Sequence, residues 1–175
     1  VPSMSENIAR AISLIRDAAA KGARLICLPE NFATLGAEDY RVFAEREFAT
    51  QDCVKLLADL ARELDIYLVA GSMPVLDPVS GKVFASSFLI DNLGQCIARY
   101  NKLHLFDATV SDAQNEYRES DQYAYGTQLI CASTPIAAIG MAICYDLRFP
   151  ELFQRLREQG ANVLVLPSAF TYATG

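Results

Sequence analysis

Three times along this chain a helix-like pattern runs straight into a short apolar segment, and that alternation limits the fold more than any other feature. Ser5 to Lys21 repeats Ile8, Ile12, Ile15 and Ala19 at helical spacing, with Ser3 or Ser5 as candidate cap and Gly22 just past its end, and Leu25 to Leu28 follows. Cys53 to Leu64 likewise feeds Ile66 to Ser72, and Phe149 to Gln159 feeds Asn162 to Leu166. Short apolar runs bounded by turn residues are the pattern of strands covered on both faces. Helices alternating with such strands stack into α/β layers. The turn sequences DPVSGK at 77–82 and DNLGQ at 91–95 delimit Val83 to Ile90 and part it from Cys96 to Tyr100. That arrangement predicts an antiparallel hairpin, and so a mixed sheet.

At 175 residues the chain suits a single domain with its own core, needing no disulfide or metal staple. Its formal net charge is −6, and its 15 Lys and Arg are scattered, which argues against a nucleic-acid or anionic-membrane surface. An anionic ligand would have to be held by a few local cations. The longest apolar stretch, Pro135 to Cys144, is too short to span a bilayer, and no leader pattern opens the sequence, so a soluble protein is expected. Five cysteines, at 27, 53, 96, 131 and 144, form no CxxC or metal-like set. Four of them lie in apolar strand-like or helical settings, which predicts core thiols in a reducing cytoplasm, with no metal and no cofactor.

The fifth stands apart. Ile139 to Ile143 reads as a core strand and Phe149 to Gln159 as a helix, so Cys144 falls on a strand-to-helix elbow. An elbow lifts a nucleophile off the sheet and aims following backbone N–H groups at the atom under attack. A buried cysteine is more often a small hydrophobe, so the elbow alone does not decide the matter. Glu30 adds to it: Pro29 ends the strand Leu25 to Leu28 and leaves this carboxylate at the strand's carboxyl edge. Lys102 follows Ile97 to Tyr100 in the same way. Open α/β sheets gather their ligand sites at such ends. A thiol, a carboxylate and an ammonium there supply nucleophile, base and oxyanion partner for acyl transfer. The polar, weakly periodic stretch Leu105 to Thr127 is expected to form a pocket wall. A competing Cys–His arrangement would use His104, the only histidine, but no Asn or Asp orienter for it stands out in the sequence.

Four separated segments carry a further resemblance: PENF around Glu30, YNKLHLF around Lys102, ESD from Glu119 and CYDLRFPEL from Cys144, with gaps of 72 and 42 residues between Glu30, Lys102 and Cys144. In order and spacing they resemble the nitrilase superfamily of carbon-nitrogen hydrolases. The resemblance implies an α-β-β-α sandwich, dimerising or forming higher homo-oligomers. It implies Cys144 as nucleophile, Glu30 as general base, Lys102 as oxyanion stabiliser and Glu119 as the supporting second glutamate. Tyr145 would lend its backbone N–H to the oxyanion. HLFDATV, ESD, CYDLRFPEL and PSAFT look most like the branch acting on deaminated glutathione, with the ω-amidases close behind. By that likeness Arg148, in the first turn of the following helix, with Phe170 and Thr171, would bind an acidic small-molecule amide. A non-catalytic binding subunit on the same fold is the alternative. Against the superfamily pattern, residues 1–175 lack a first strand and a C-terminal third, so the domain is expected to be incomplete.

Overall fold

The computed structural model describes residues 3–36, 39–109 and 116–170. The first helix, α1 (Met4–Ala20), starts where the sequence places it. Ser3 Oγ accepts the Glu6 N–H at 3.2 Å and Glu6 Oε2 accepts the Ser3 N–H at 2.6 Å, a reciprocal capping box that satisfies two donors no helical carbonyl can reach. Strand β1 (Leu25–Cys27) follows, then α2 (Tyr40–Thr50) and α3 (Asp52–Leu64). The α2 helix is absent from the sequence expectations. Its buried residues are Phe43, Ala44 and Glu47, while Val42 and Phe48 are exposed, so apolar residues ring the helix and no clean stripe marks it. Glu47 pays for its burial by accepting the N–H groups of Cys53 and Val54 at 3.0 and 2.9 Å, which caps the positive end of α3.

Of the expected strand Ile66 to Ser72 only β2 (Tyr67–Val69) forms, and β3 (Met73–Leu76) begins just past its expected end. The break is at Gly71, with φ +54°, where a Cβ would lie 2.1 Å from the Pro29 carbonyl oxygen. Only glycine admits that approach. Strand β4 (Val83–Ile90) pairs antiparallel with β2 and β3 along one edge and with β5 (Cys96–Asn101) along the other; β1 joins β2 in parallel. The result is a five-stranded mixed sheet containing the predicted hairpin. The described residues after Lys102 carry regular structure that their sequence does not suggest. Strand β6 (Asp107–Thr109) pairs antiparallel with β7 (Glu116–Arg118), and a 3-10 turn over Glu119–Asp121 follows. A second sheet has the order β10-β9-β8, from β8 (Cys131–Ser133), β9 (Ala138–Met141) and β10 (Val163–Val165), with α4 (Pro150–Glu158) between the last two.

The buried clusters give the layering. Ile15, Leu57, Leu60 and Ala61 of α1 and α3 pack on Leu68 and Ile90 of the first sheet. Val69, Leu89 and Tyr100 of that sheet meet Ile139, Met141, Ile143 and Val165 of the second. Leu152 and Leu156 of α4 cover Ala142 on the far side. Helices, sheet, sheet and helix therefore stack in that order, which is an α-β-β-α sandwich. Burial of the two apolar sheet faces against each other and of the helix stripes outside them is the main stabilising term.

The cysteines depart from expectation. Cys53 is buried, but Cys27 and Cys96 are exposed and Cys131 is half-buried, because β1, β5 and β8 are edge strands with one side open. Among the described residues no helix is long and apolar enough to cross a membrane.

Candidate active site

Each reactive side chain hangs from the loop that leaves a strand. The loop after β1 is pinned by the close packing at Gly71 and by Ser72, whose Oγ accepts the Asn31 N–H at 2.9 Å. Glu30, one residue earlier, is thereby fixed pointing inward and only 5% exposed. Lys102 leaves β5 with its N–H on Ala85 O at 2.9 Å and its carbonyl accepting the Gly126 N–H at 2.8 Å. Gly126 sits so tightly on Asn101 that a Cβ would lie 2.1 Å from the carbonyl oxygen. Cys144 follows β9 and opens a 3-10 turn, Cys144–Arg148, so α4 begins only at Pro150. Arg148 accordingly ends the 3-10 turn instead of lying in the first turn of α4. The Pro at 150 explains the shift, since it disfavours helical backbone at the residue before it and suits the first helical position.

The three loops meet. Lys102 Nζ lies 2.9 Å from Glu30 Oε1, 3.0 Å from Glu119 Oε1 and 2.8 Å from Glu119 Oε2. Those three acceptors match the three ammonium hydrogens. Glu30 Oε2 accepts the Ala169 N–H at 2.9 Å, and Glu119 Oε2 accepts the Phe106 N–H at 2.6 Å, so both carboxylates are fixed from behind. Burial alone would lower the pKa of Lys102, but the Glu30 and Glu119 carboxylates more than reverse that and raise it. Lys102 is a fixed cation. Glu119 is raised by its burial, with the Lys102 ammonium and the Phe106 N–H opposing.

Cys144 shares a cavity wall with this triad and is 8% exposed. Burial first, and then the Glu30 charge, push its thiol up to about 12, against the pull of the Ala169 N–H and Lys102. The resting sulfur is therefore a thiol, on the same cavity as the Glu30 carboxylate. Its backbone has φ +45°, a left-handed conformation costing about 1–2 kcal/mol in a residue with a Cβ. The first bond of the following turn runs from the Asp146 N–H to Ile143 O at 3.0 Å, so the Tyr145 N–H has no partner within the turn.

Glu30, Lys102, Glu119, Cys144, Tyr145, Arg148 and Phe170 all line one cavity of about 610 Å³; Thr171 lies outside the described residues. The stretch after Lys102 supplies much of its wall. Phe106 packs on Tyr117 at 5.3 Å and edge-on to Tyr145 at 5.0 Å between ring centroids. A buried base, a thiol, a fixed ammonium and an unspent N–H around one space are the parts that acyl transfer needs.

His104 is elsewhere. Its ring stacks on Phe149 with centroids 3.6 Å apart and lines a different cavity, beside Glu151 and Arg155. It does have an orienter, contrary to expectation: Nδ1 is 2.7 Å from Asp146 Oδ1. That aspartate is the residue sequence reasoning passed over. Its signal was an acidic side chain two positions past the elbow cysteine, in a segment otherwise bound for the core.

The sequence pattern of the carbon-nitrogen hydrolase family matches residues 1–174. A deaminated glutathione amidase from Yersinia enterocolitica is 42% identical over 158 residues, covering 88% of this chain and 54% of that protein. The human omega-amidase NIT2 is 37% identical over 172 residues, covering 98% of the chain and 60% of the relative. The chain thus spans little more than half the length of these curated relatives. The crystal structure of the C. elegans NitFhit protein superposes with a TM-score of 0.83 at 34% identity, over 96% of this chain and 41% of that one.

Proposed function

Because the chain belongs to the carbon-nitrogen hydrolase family, we propose that it carries the catalytic centre of an amidase acting on the ω-amide of a short 2-oxo dicarboxylic acid. The observation that carries this reading is that Cys144 faces the same cavity as Glu30 while Lys102 is tied to that carboxylate. Glu30 takes the thiol proton as the sulfur attacks the amide carbon, and Lys102 with the Tyr145 N–H receives the oxyanion. Glu30 then hands that proton to the leaving nitrogen, and the acyl group stays on Cys144 as a thioester. Water, deprotonated by Glu30, attacks the thioester and regenerates thiol and carboxylic acid.

Arg148 on the cavity wall would bind the substrate's far carboxylate, and the aromatic side chains would cover its carbon chain. The favoured substrate is deaminated glutathione, supported by the identity to the Yersinia amidase. The likeness to the omega-amidase favours α-ketoglutaramate as the second candidate. Both substrates leave the same 2-oxoglutaryl group on the sulfur and differ in the amine expelled. We take the active form to be a homodimer or larger homo-oligomer in a reducing cytoplasm, where a free thiol survives.

The test is acid quenching during turnover, followed by peptide mass spectrometry. A 2-oxoglutaryl mass on Cys144 with either amide is expected, and the ratio of kcat/KM for the two amides then names the substrate. Turnover by Cys144→Ala, or an adduct on another residue, would refute the reading.

A further inference from the structure

Behind the nucleophile, on the side away from the substrate cavity, Asp146 is fully buried yet carries a carboxylate. Four donors converge on it. Tyr100 Oη donates to Oδ2 at 2.6 Å and the Ile143 N–H to the same oxygen at 2.8 Å. The His104 N–H reaches Oδ1 at 3.1 Å and His104 Nδ1 reaches it at 2.7 Å. With Nδ1 carrying its hydrogen, all four are donors to an acceptor-only group, the arrangement that suits a buried carboxylate. Three of the donors belong to β5 and its exit, and one to the residue immediately before Cys144.

The geometry points to Asp146, held by His104 and Tyr100, as the positioning residue that keeps Cys144 in its left-handed conformation. A strained backbone persists only where its surroundings over-determine it. At Cys144 the restraints are the Cys144 N–H on Pro167 O at 2.9 Å and, on either side, the two Asp146 bonds to Ile143, one from its main chain and one from its side chain. The side-chain bond ties the residue before the sulfur to a carboxylate that β5 also holds. Lys102 leaves that same strand, between Tyr100 and His104. One buried anion therefore fixes the separation of the sulfur-bearing turn from the ammonium-bearing loop. His104 adds rigidity through its stack on Phe149, the residue just after the 3-10 turn.

This inference rests on Cys144 being the nucleophile, and it predicts a defect in turnover without a defect in binding. In Asp146→Asn, either orientation of the amide sets an NH₂ against a main-chain N–H, that of Ile143 or that of His104. A displacement of about 1 Å at a reacting atom costs on the order of 100-fold in rate. Asp146→Asn should therefore lose about that much kcat with KM nearly unchanged, and iodoacetamide should alkylate Cys144 correspondingly more slowly. His104→Phe keeps the stack on Phe149 and Tyr100→Phe keeps the core volume. Each deletes one charge-assisted bond and should lower kcat by about tenfold, again without moving KM.

The full chain, purified with each substitution, is assayed for kcat, KM, Tm and the Cys144 alkylation rate. Parallel losses of kcat and alkylation at constant KM support the positioning role. Folded variants with lowered Tm but kcat within twofold of the parent overturn it, since the network would then serve stability alone. Should Asp146→Asn fail to fold, His104→Phe and Tyr100→Phe decide on the same criteria. Cys144→Ala runs alongside: activity there would sink the proposed function, whereas an inactive Cys144→Ala with fully active network variants would sink only this inference.

Discussion

Glu119→Gln changes one atom and tests whether the second carboxylate works through Lys102. Glu119 Oε2 accepts both the Phe106 N–H at 2.6 Å and Lys102 Nζ at 2.8 Å, while Oε1 accepts Lys102 Nζ at 3.0 Å. A glutamine can satisfy the first pair only by placing its oxygen at Oε2, which turns its NH₂ toward the ammonium. The flipped amide would face the Phe106 N–H with a donor and is worse. Lys102 thus keeps Glu30 and one contact to residue 119, and loses one charge-assisted hydrogen bond, worth about 1.5–3 kcal/mol. If that bond is what aims Nζ at the developing oxyanion, kcat/KM should fall about 10- to 150-fold. Lys102 stays charged because Glu30 remains, so the loss should be shallower than that of Glu30→Gln, which deletes the base. Steady-state kinetics on α-ketoglutaramate with thermal unfolding as control make the comparison. A folded variant within twofold of the parent would refute the argument. A loss as deep as that of Glu30→Gln would make Glu119 a proton carrier in its own right.

Two further outcomes follow from the site. The Cys144 thiol is pushed up to about 12, so its alkylation, resolved by mass spectrometry from that of the exposed Cys27 and Cys96, should rise about tenfold per pH unit from 8 to 11 without a plateau. The stabilising contribution of that raised pKa is complete below the unfolded value of about 8.5 and fades as pH climbs toward 12, so the parent should lose stability relative to Cys144→Ala over that window; a plateau in labelling below pH 9 would mean a resting thiolate. Arg148→Lys should cost about 1–3 kcal/mol in kcat/KM toward 2-oxo dicarboxylic amides and spare uncharged amides, whereas equal losses would make Arg148 structural.

Much of this was legible in the sequence because position on a strand is a local property. Pro29 after an apolar run fixes where β1 stops and so where Glu30 begins. The abrupt change from Ile143 to Asp146 marks the elbow in the same way. Burial is not local. Nothing in YNKLHLF shows that Lys102 would be 1% exposed, since its two carboxylate partners come from residues 30 and 119. The cysteines fail for a related reason: an apolar strand reads alike at a sheet's centre and at its edge, and only pairing shows that Cys27 and Cys96 lie on edges. The early stop of the expected strand 66–72 at Val69 required the approach of Gly71 to Pro29, a contact across more than forty residues. Asp146 was hidden because its role depends on Tyr100 and His104, which carry no signal until β5 is placed beside the nucleophile turn.

The charges at the site then account for a difficulty the resting geometry poses. Three carboxylate oxygens already occupy the three hydrogens of Lys102, so an oxyanion has none to receive. On the proposed cycle the thiol proton moves to Glu30 as the sulfur attacks, and the net charge of thiol, lysine, two glutamates and the reacting amide together stays at one negative throughout. What moves is the location of the charge, from Glu30 to the substrate oxygen. A protonated Glu30 is a weaker acceptor for Nζ, and the hydrogen it held at 2.9 Å is released at the step that creates the oxyanion. Glu119, fixed by the Phe106 N–H, does not take part in the exchange and keeps the ammonium charged and in place. One carboxylate must therefore be free to change protonation and the other must not, which is why the site needs two and why exchanging either for glutamine should fail in a different way.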